Sequence, residues 1–522
     1  MAVTLEQRSP CFGPAIALSG FLQVYLPWGG VCTDSGLQHT VYRQSLVAPG
    51  NDRLHPFPPG GTDMSQAPTT PAFLLRMFSR VTTVEAHEMR AVLVSFLYLF
   101  CLMSSYYIMR PLRDALASEV ASEDLKYLWT GTFIFSTLAA LIFGWVVSRF
   151  RISSFLPWVY GFFIINIAIF WLLMARYPLG SSATMMAPVF NVWPVAMGEV
   201  PVSLAIACCY YVWLSVFNMF VVSVFWSFLA DRYTRAQSKR LFGFIAAGGS
   251  AGATLGPLLT AAIVSIVGAE DMLLIAGLIL GITVFCIRDL TRHTDSTRAA
   301  PAGRGSADLI GGGVFSGFST LFKDPYLIGI GAFVVLYTFI STIFYVAQVD
   351  LVRAAFETRE ARYAANAVVD GLVNGLAIFT QLFLTSRLVN RFGLVTLMAC
   401  MPVFMILAFV AVSAFPVLLV ILGLQVVRRA GNYALTRPGR EMLWTVVDRD
   451  RKYKAKNVVD TSLYRGADLV NIWIENGLRS AGFGLAQIAI VGSLAAAAWS
   501  GVSLWIGRTA EARRVEQPMK ES

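Results

Sequence analysis

The feature that most limits how this chain can fold is a series of apolar runs, each close to bilayer-spanning length, that starts just after Arg90 and ends near residue 506. About 20 apolar residues wound as a helix match the hydrocarbon thickness of a membrane, and inside it a helix satisfies its own backbone polar groups. Twelve runs are legible: 91–110, 127–148, 155–175, 204–230, 241–267 and 271–288, then 326–348, 366–388, 393–413, 415–447, 456–480 and 484–506. Only 14% of the 522 residues are charged, against about 25% in soluble domains. The expected fold is an all-α polytopic membrane protein of twelve transmembrane helices.

A polar stretch separates six runs from six, giving expected segments of 86–290 and 323–508 around a 291–322 linker, with a tail at 509–522. Residues 1–85 are rich in Pro, Gly, Ser and Thr, and the apolar piece Cys11–Cys32 is broken by Pro14, Gly20, Pro27, Gly29 and Gly30. It lacks the basic start and compact centre of a signal peptide. It reads either as a disordered cytoplasmic tail or as sequence upstream of a true start at Met64. Basic residues crowd one set of loops: Arg149 and Arg151; Arg232, Arg235, Lys239 and Arg240; Arg292, Arg298 and Arg304; Arg387 and Arg391; Arg449, Arg451, Lys452, Lys454 and Lys456. The other loops are mixed or acidic, with Glu119, Glu123, Asp124 and Lys126, then Glu270 and Asp271, then Glu357, Arg359 and Glu360. The positive-inside rule therefore places both termini in the cytoplasm.

The two halves resemble each other. Ser148-Arg149-Phe150 closes the second run as Asn390-Arg391-Phe392-Gly393 closes the eighth. The fourth runs through Phe225-Trp226 to Asp231 and Ser238-Lys239-Arg240, and the tenth through Leu443-Trp444 to Asp448 and Tyr453-Lys454-Ala455-Lys456. Two parallel six-helix halves make a major-facilitator-like architecture. In the fifth run Gly248, Gly252 and Gly256 are spaced for close helix packing.

Other classes of function find little support. The net charge of +10 comes from basic residues scattered among short turns, so no nucleic-acid partner is expected. Seven cysteines and four histidines show no metal or redox spacing, and no Walker A, HExxH or GxSxG sequence occurs. Gly303–Gly313 reads as flexible loop. The chain is expected to be no enzyme, to need no cofactor or metal, and to be sufficient as a monomer in its lipid bilayer.

Charged residues inside the apolar runs mark the candidate site. A charge at mid-bilayer costs at least about 2.5 kcal/mol, so each needs a partner or an aqueous cavity. The first run ends with Arg110, Pro111, Arg113 and Asp114. The tenth carries Arg428, Arg429, Arg437, Arg440 and Glu441, with Arg429, Thr436 and Arg440 on one helical face. Along the eleventh, Asn457, Asp460, Tyr464, Asp468, Asn471 and Glu475 recur at spacings of three and four, which stacks them into a polar stripe suited to an aqueous path. Mutual neutralisation would pair Arg113 with Asp114 or Glu119, Arg437 with Glu441, and Arg465 with Asp468. An excess of arginine remains, and forked guanidinium groups hold phosphate bidentately.

With these residues in place, the chain resembles the nucleotide transporter family, the ATP/ADP translocases of obligate intracellular bacteria and plastids. Arg110, Arg113 and Asp114 match one family motif, Lys239, Arg240, Phe242 and Gly243 another, and Pro438, Arg440, Glu441, Met442, Lys454, Lys456, Val459 and Asp460 a third. It departs where the translocases carry an acidic residue in the fourth span, here Ser215 or Asn218, and glutamate and lysines late in the seventh, here Tyr345, Gln348 and Asp350. The resemblance implies exchange of ATP for ADP, or of a similar phosphorylated anion, by alternating access. Arg110, Arg113, Asp114, Arg429, Arg437, Arg440, Glu441, Asp460 and Arg465 would bind substrate together with Lys454 and Lys456, and Lys239, Arg240 and Lys452 would steer it at the cytoplasmic gate. Asp460, Asp468 and Glu475 are expected to pair with these bases between substrates. The alternative is a proton-coupled carrier of another solute, with Asp350, Asp370 or Asp460 as proton site.

Overall fold

The computed structural model describes residues 85, 87–149, 152–178, 186–192, 195–233, 235–294 and 316–521. The expectations for residues 1–84 and for most of the 291–322 linker lie outside the described residues. The N-terminal half comprises α1 (Met89–Ala117), α2 (Leu125–Arg149), α3 (Ile152–Arg176), α4 (Val202–Arg232), α5 (Arg235–Val267) and α6 (Asp271–Thr294). The C-terminal half begins with a short helix α7 (Ser316–Lys323), followed by α8 (Pro325–Ala355), α9 (Arg359–Thr380) and α10 (Ser386–Ala414). Its tenth rod is built from α11 (Leu418–Gly431) and α12 (Arg437–Leu443), its eleventh from α13 (Arg449–Val458) and α14 (Tyr464–Ser480), and its last is α15 (Leu485–Glu521).

Local chemistry explains several boundaries. Asp324 caps α8 by accepting the Tyr326 N–H at 2.9 Å, and Pro325 occupies the first turn, where no N–H is needed. Gly393, at φ 78°, takes the left-handed conformation that lets the chain fold back between the eighth and ninth rods. Three rods of the C-terminal half contain a wide π-helical turn: Gln381–Thr385, Asn432–Thr436 and Val459–Leu463. Each shifts the faces on either side of it relative to a regular helix.

Among the described residues, ten helices are long and apolar enough to cross a membrane on their own composition. α2 and the eleventh rod are not among them, the latter because its charged and polar side chains interrupt the apolar run. One difference from the expected layout stands out. Residues Met186–Val192 and Val195–Pro201 form an antiparallel hairpin, β1 and β2, between α3 and α4, in a stretch where no strand is expected. The last helix, α15, continues through the expected tail to Glu521.

Each half has its own apolar core, one running from Val92 to Leu290 and one from Leu321 to Ala510, with Tyr363 of α9 reaching across into the first. Side chains such as Phe162, Phe285, Leu419 and Leu494 stay outward, as faces for lipid. α1 lies deep in the N-terminal half against α5, where a Cβ at Gly248, Gly252 or Gly256 would run into the carbonyl oxygens of Phe96, Phe100 and Ser104. The expected close packing is therefore present, and it holds the backbone of α1 rigidly.

Between the halves, α9 packs on α5 and α1, and α14 packs on α2. Exchanging the halves maps one contact onto the other, as parallel repeats require. Several of the polar contacts that join the halves gather at the end of the molecule that carries the loops around 118–124 and 356–358. There Arg362 pairs with Glu119 at 2.6 Å, Arg359 pairs with Glu270, Ser122 bonds Asp350, and Lys126 donates to Asn476 at 2.8 Å. A small apolar cluster of both halves, including Val120, Leu125, Val346 and Ile472, seals the same end.

Candidate functional site

Between the halves lies a central cavity lined by α1, α2, α4, α8, α11 and α14. α1 contributes Arg110, Arg113 and Asp114 in consecutive turns. Arg113 donates from Nη2 to Asp114 Oδ1 at 2.7 Å and from Nε at 3.1 Å, so the expected pair forms. Its guanidinium lies over the Tyr211 ring at 5.0 Å. Tyr211 and Tyr345 share a hydrogen bond of 3.1 Å across the halves, and the Trp129 ring lies 5.5 Å from that of Tyr345. One end of the cavity is thus aromatic.

The other end is basic. α11 presents Arg428 and Arg429 in its last turn, and the π-helical turn that follows brings Tyr433 and Arg437 to the same space. A relay of buried amides orients Arg428: Gln348 donates to Asn366 at 2.8 Å, Gln425 donates to Gln348 at 2.9 Å, and Arg428 Nε donates to Gln425 at 2.9 Å. Arg437 lies over the Tyr433 ring at 4.8 Å, and Tyr464, Arg465 and Asp468 close the wall from α14. Arg110 and Arg429 both pair with Asp370 of α9, at 3.3 and 2.6 Å.

Six arginines therefore line one cavity whose carboxylates are Asp114 and Asp468, with Asp370 behind its wall. That leaves an excess of three positive charges. Among the described residues, Arg428, Arg437 and Arg465 have no carboxylate within ion-pair distance, and a nitrogen of Arg428 and of Arg437 is buried without a hydrogen bond. Buried, unneutralised guanidinium groups favour an anion that supplies several oxygens.

Several residues singled out from sequence sit elsewhere. Arg440 pairs with Asp460 at 3.1 Å, and Glu441 pairs with Lys456 at 2.5 Å rather than with Arg437. These pairs tie α12 to the eleventh rod, outside the cavity lining. Arg465 and Asp468 share the cavity without reaching ion-pair distance, and Glu475 pairs with Arg479 instead of a cavity arginine. Lys452 lies on α13, whereas the side chains of Lys239 and Lys454 fall outside those described. Arg240 binds Glu88 at 2.9 Å and so links α5 to the start of α1. Burial raises the Glu88 carboxyl, but the Gln237 hydrogen bond, the Glu85 backbone and the Arg240 charge outweigh it and hold it below the usual carboxylate range. Glu85, His87 and Glu88 lie close enough to share a metal ion, yet Arg240 and Gln237 already engage Glu88. The sequence expectations leave out the amide relay, Tyr337 and Tyr433, and take Tyr345 and Gln348 only as departures from the translocase pattern, since each looks like an ordinary polar or aromatic residue of a membrane helix. A spacing of four, four and three along Tyr337, Ser341, Tyr345 and Gln348 was the available signal.

The Major Facilitator Superfamily profile matches residues 210–428. Among solved structures, the chain is similar to a bacterial homologue of the iron transporter ferroportin in its inward-facing state, with 14% identity, a TM-score of 0.56, and coverage of 80% of this chain and 99% of the other. It is also similar to a bacterial homologue of the human lysosomal transporter Spinster, inward-facing and unoccupied (12% identity, TM-score 0.53, coverage 82% and 99%). A mutant of the nucleoside transporter NupG gives 14% identity, a TM-score of 0.52 and coverage of 82% and 99%. No curated protein sequence matches the chain. These likenesses give the chain the major facilitator fold and do not single out the nucleotide translocases within it.

Proposed function

We propose that this chain, a multi-pass membrane transporter with the major facilitator fold, carries an organic anion bearing phosphate groups, with ATP and ADP the first substrates to test. The observation that carries the reading is the excess of three positive charges in the central cavity, with Arg428, Arg437 and Arg465 lacking carboxylate partners. A nucleoside diphosphate carries a comparable negative charge, and its base would find the aromatic end formed by Trp129, Tyr211 and Tyr345. On this reading the basic loops face the cytoplasm with both termini, as the positive-inside rule expects, the closed, acidic end faces outward, and the inner membrane is the location the family resemblance implies. The cavity then serves the inward side, and breaking the Glu119–Arg362 and Glu270–Arg359 pairs would open it outward.

The test is uptake of labelled ATP into proteoliposomes loaded with ADP, beside unloaded vesicles. Uptake that requires internal ADP supports nucleotide exchange. Folded protein that takes up no nucleotide removes that reading and moves the search to other anions.

A second reading, a proton-coupled carrier of a different small solute, is favoured by Asp468, which lines the cavity with no ion pair among the described residues. A carboxylate so placed suits proton binding and release. Uptake driven by an imposed pH gradient and lost in Asp468→Asn would support it over exchange.

A further inference from the structure

Tyr363, Asp370 and Asn374 share the face of α9 that is laid against the N-terminal half. Tyr363 donates to the Ile108 carbonyl and Asn374 to the Ala253 carbonyl, each at 2.6 Å. Between them, Asp370 Oδ1 meets Arg110 Nη1 of α1 at 3.3 Å. The same oxygen meets Arg429 Nη2 of α11 at 2.6 Å, out of line for a hydrogen bond. One carboxylate oxygen thus bridges two guanidinium groups from opposite halves. Asp370 is 1% exposed and lies behind the cavity wall, whereas both arginines line the cavity.

The bridge is poorly matched. Two guanidinium forks compete for one oxygen, while Asp370 Oδ2 has no hydrogen-bond partner among the described residues. Either arginine would be better satisfied by a bidentate contact. A phosphate group in the cavity offers more oxygens than Asp370 does. We propose that Asp370 is the internal counter-ion of the anion site: it holds Arg110 and Arg429 together between substrates and yields them when an anion binds. Binding then weakens the Arg110–Asp370 pair, which among the described residues joins the halves at cavity level, and so couples occupancy to their relative movement. This inference rests on the anion-carrier reading above and assigns Asp370 as a positioning residue, not as a proton site.

The experiment uses the purified full-length protein, with pyrophosphate and ADP as probes, and compares wild type with Asp370→Asn and Asp370→Glu. Without its carboxylate, Asp370→Asn should melt at a lower temperature than wild type, and pyrophosphate should raise its melting temperature by more. If Asp370 holds the arginines in about nine of ten anion-free molecules, removing it tightens pyrophosphate binding about tenfold. Asp370→Glu, which keeps the charge, should stay near wild type in both measures. Wild-type binding combined with unchanged or weaker binding by Asp370→Asn would overturn the inference and leave the anion carrier standing. Binding of neither probe by wild type removes the anion carrier and this inference with it. Spin labels at Leu97 on α1 and Leu372 on α9, in protein whose accessible Cys208, Cys209 and Cys400 are replaced by serine and whose Asp370 is kept, give a readout that does not depend on the Asp370 variants folding. Pyrophosphate should change their distance distribution, and an unchanged distribution in protein that binds it would overturn the inference.

Discussion

Removing a buried arginine from this cavity has one of two consequences, depending on whether it leaves a carboxylate behind. Arg113→Gln strands Asp114, which is only 6% exposed and takes both of its strong hydrogen bonds from Arg113. Stranding a buried charge costs about 3–5 kcal/mol, so this variant should show a clear loss of thermal stability. Arg428→Gln leaves no carboxylate behind, and its amide relay through Gln425 can re-form. It should melt at or above the wild-type temperature while pyrophosphate affinity falls about 10- to 100-fold, the worth of one or two charge-assisted hydrogen bonds. Thermal melts with and without pyrophosphate read both effects. Equal destabilisation by the two substitutions would contradict the division of the arginines into paired and free.

At the scale of elements, helix ends and irregular turns decide what the sequence makes legible. Asp324 is an example of the legible kind, an acidic residue before Pro325 that caps α8 and also takes Arg513 at 3.0 Å. Burial raises its carboxyl, but the Arg513 and Tyr326 hydrogen bonds outweigh that and hold it below the usual carboxylate range. A carboxyl that is more acidic folded than unfolded contributes its full stability above the ordinary carboxylate range and loses it as the pH falls through its folded value. The melting temperature should therefore drop on acidification, and Asp324→Asn should flatten that drop while lowering the plateau above it. The glycine stripe of α5 was equally legible, because a four-residue spacing survives unchanged in a regular helix. The pairing of Glu441 was not. The π-helical turn at Asn432–Thr436 rotates Arg437, Arg440 and Glu441 together relative to Arg429, since one residue of offset turns a helix by about 100°, and so brings them to neighbours a regular helix does not predict. Lys456 then reaches Glu441 from α13, and Arg437 turns into the cavity beside Tyr433. The hairpin at 186–201 carried no periodic signal long enough to announce it.

For the whole molecule, two cores that meet along α9 and α14, with one small apolar seal and a few ion pairs at one end, describe bodies that can move against each other with little internal change. The cavity between them adds an electrical consequence. Without an anion it holds three positive charges in excess, and reorienting the halves carries those charges through part of the membrane field. Each charge crossing the full field weighs about 2.3 kcal/mol per 100 mV. A bound trianion cancels the excess, so the loaded passage should be nearly blind to voltage. With a potassium diffusion potential set by valinomycin, exchange of labelled for unlabelled ADP should proceed at the same rate at zero and at an inside-negative potential. Efflux without a counter-anion should slow or quicken with its sign. On the proposed anion-carrier reading, the molecule works as a voltage-dependent carrier only on the half of its cycle in which it travels without cargo, and an energised membrane holds the waiting site on its negative side.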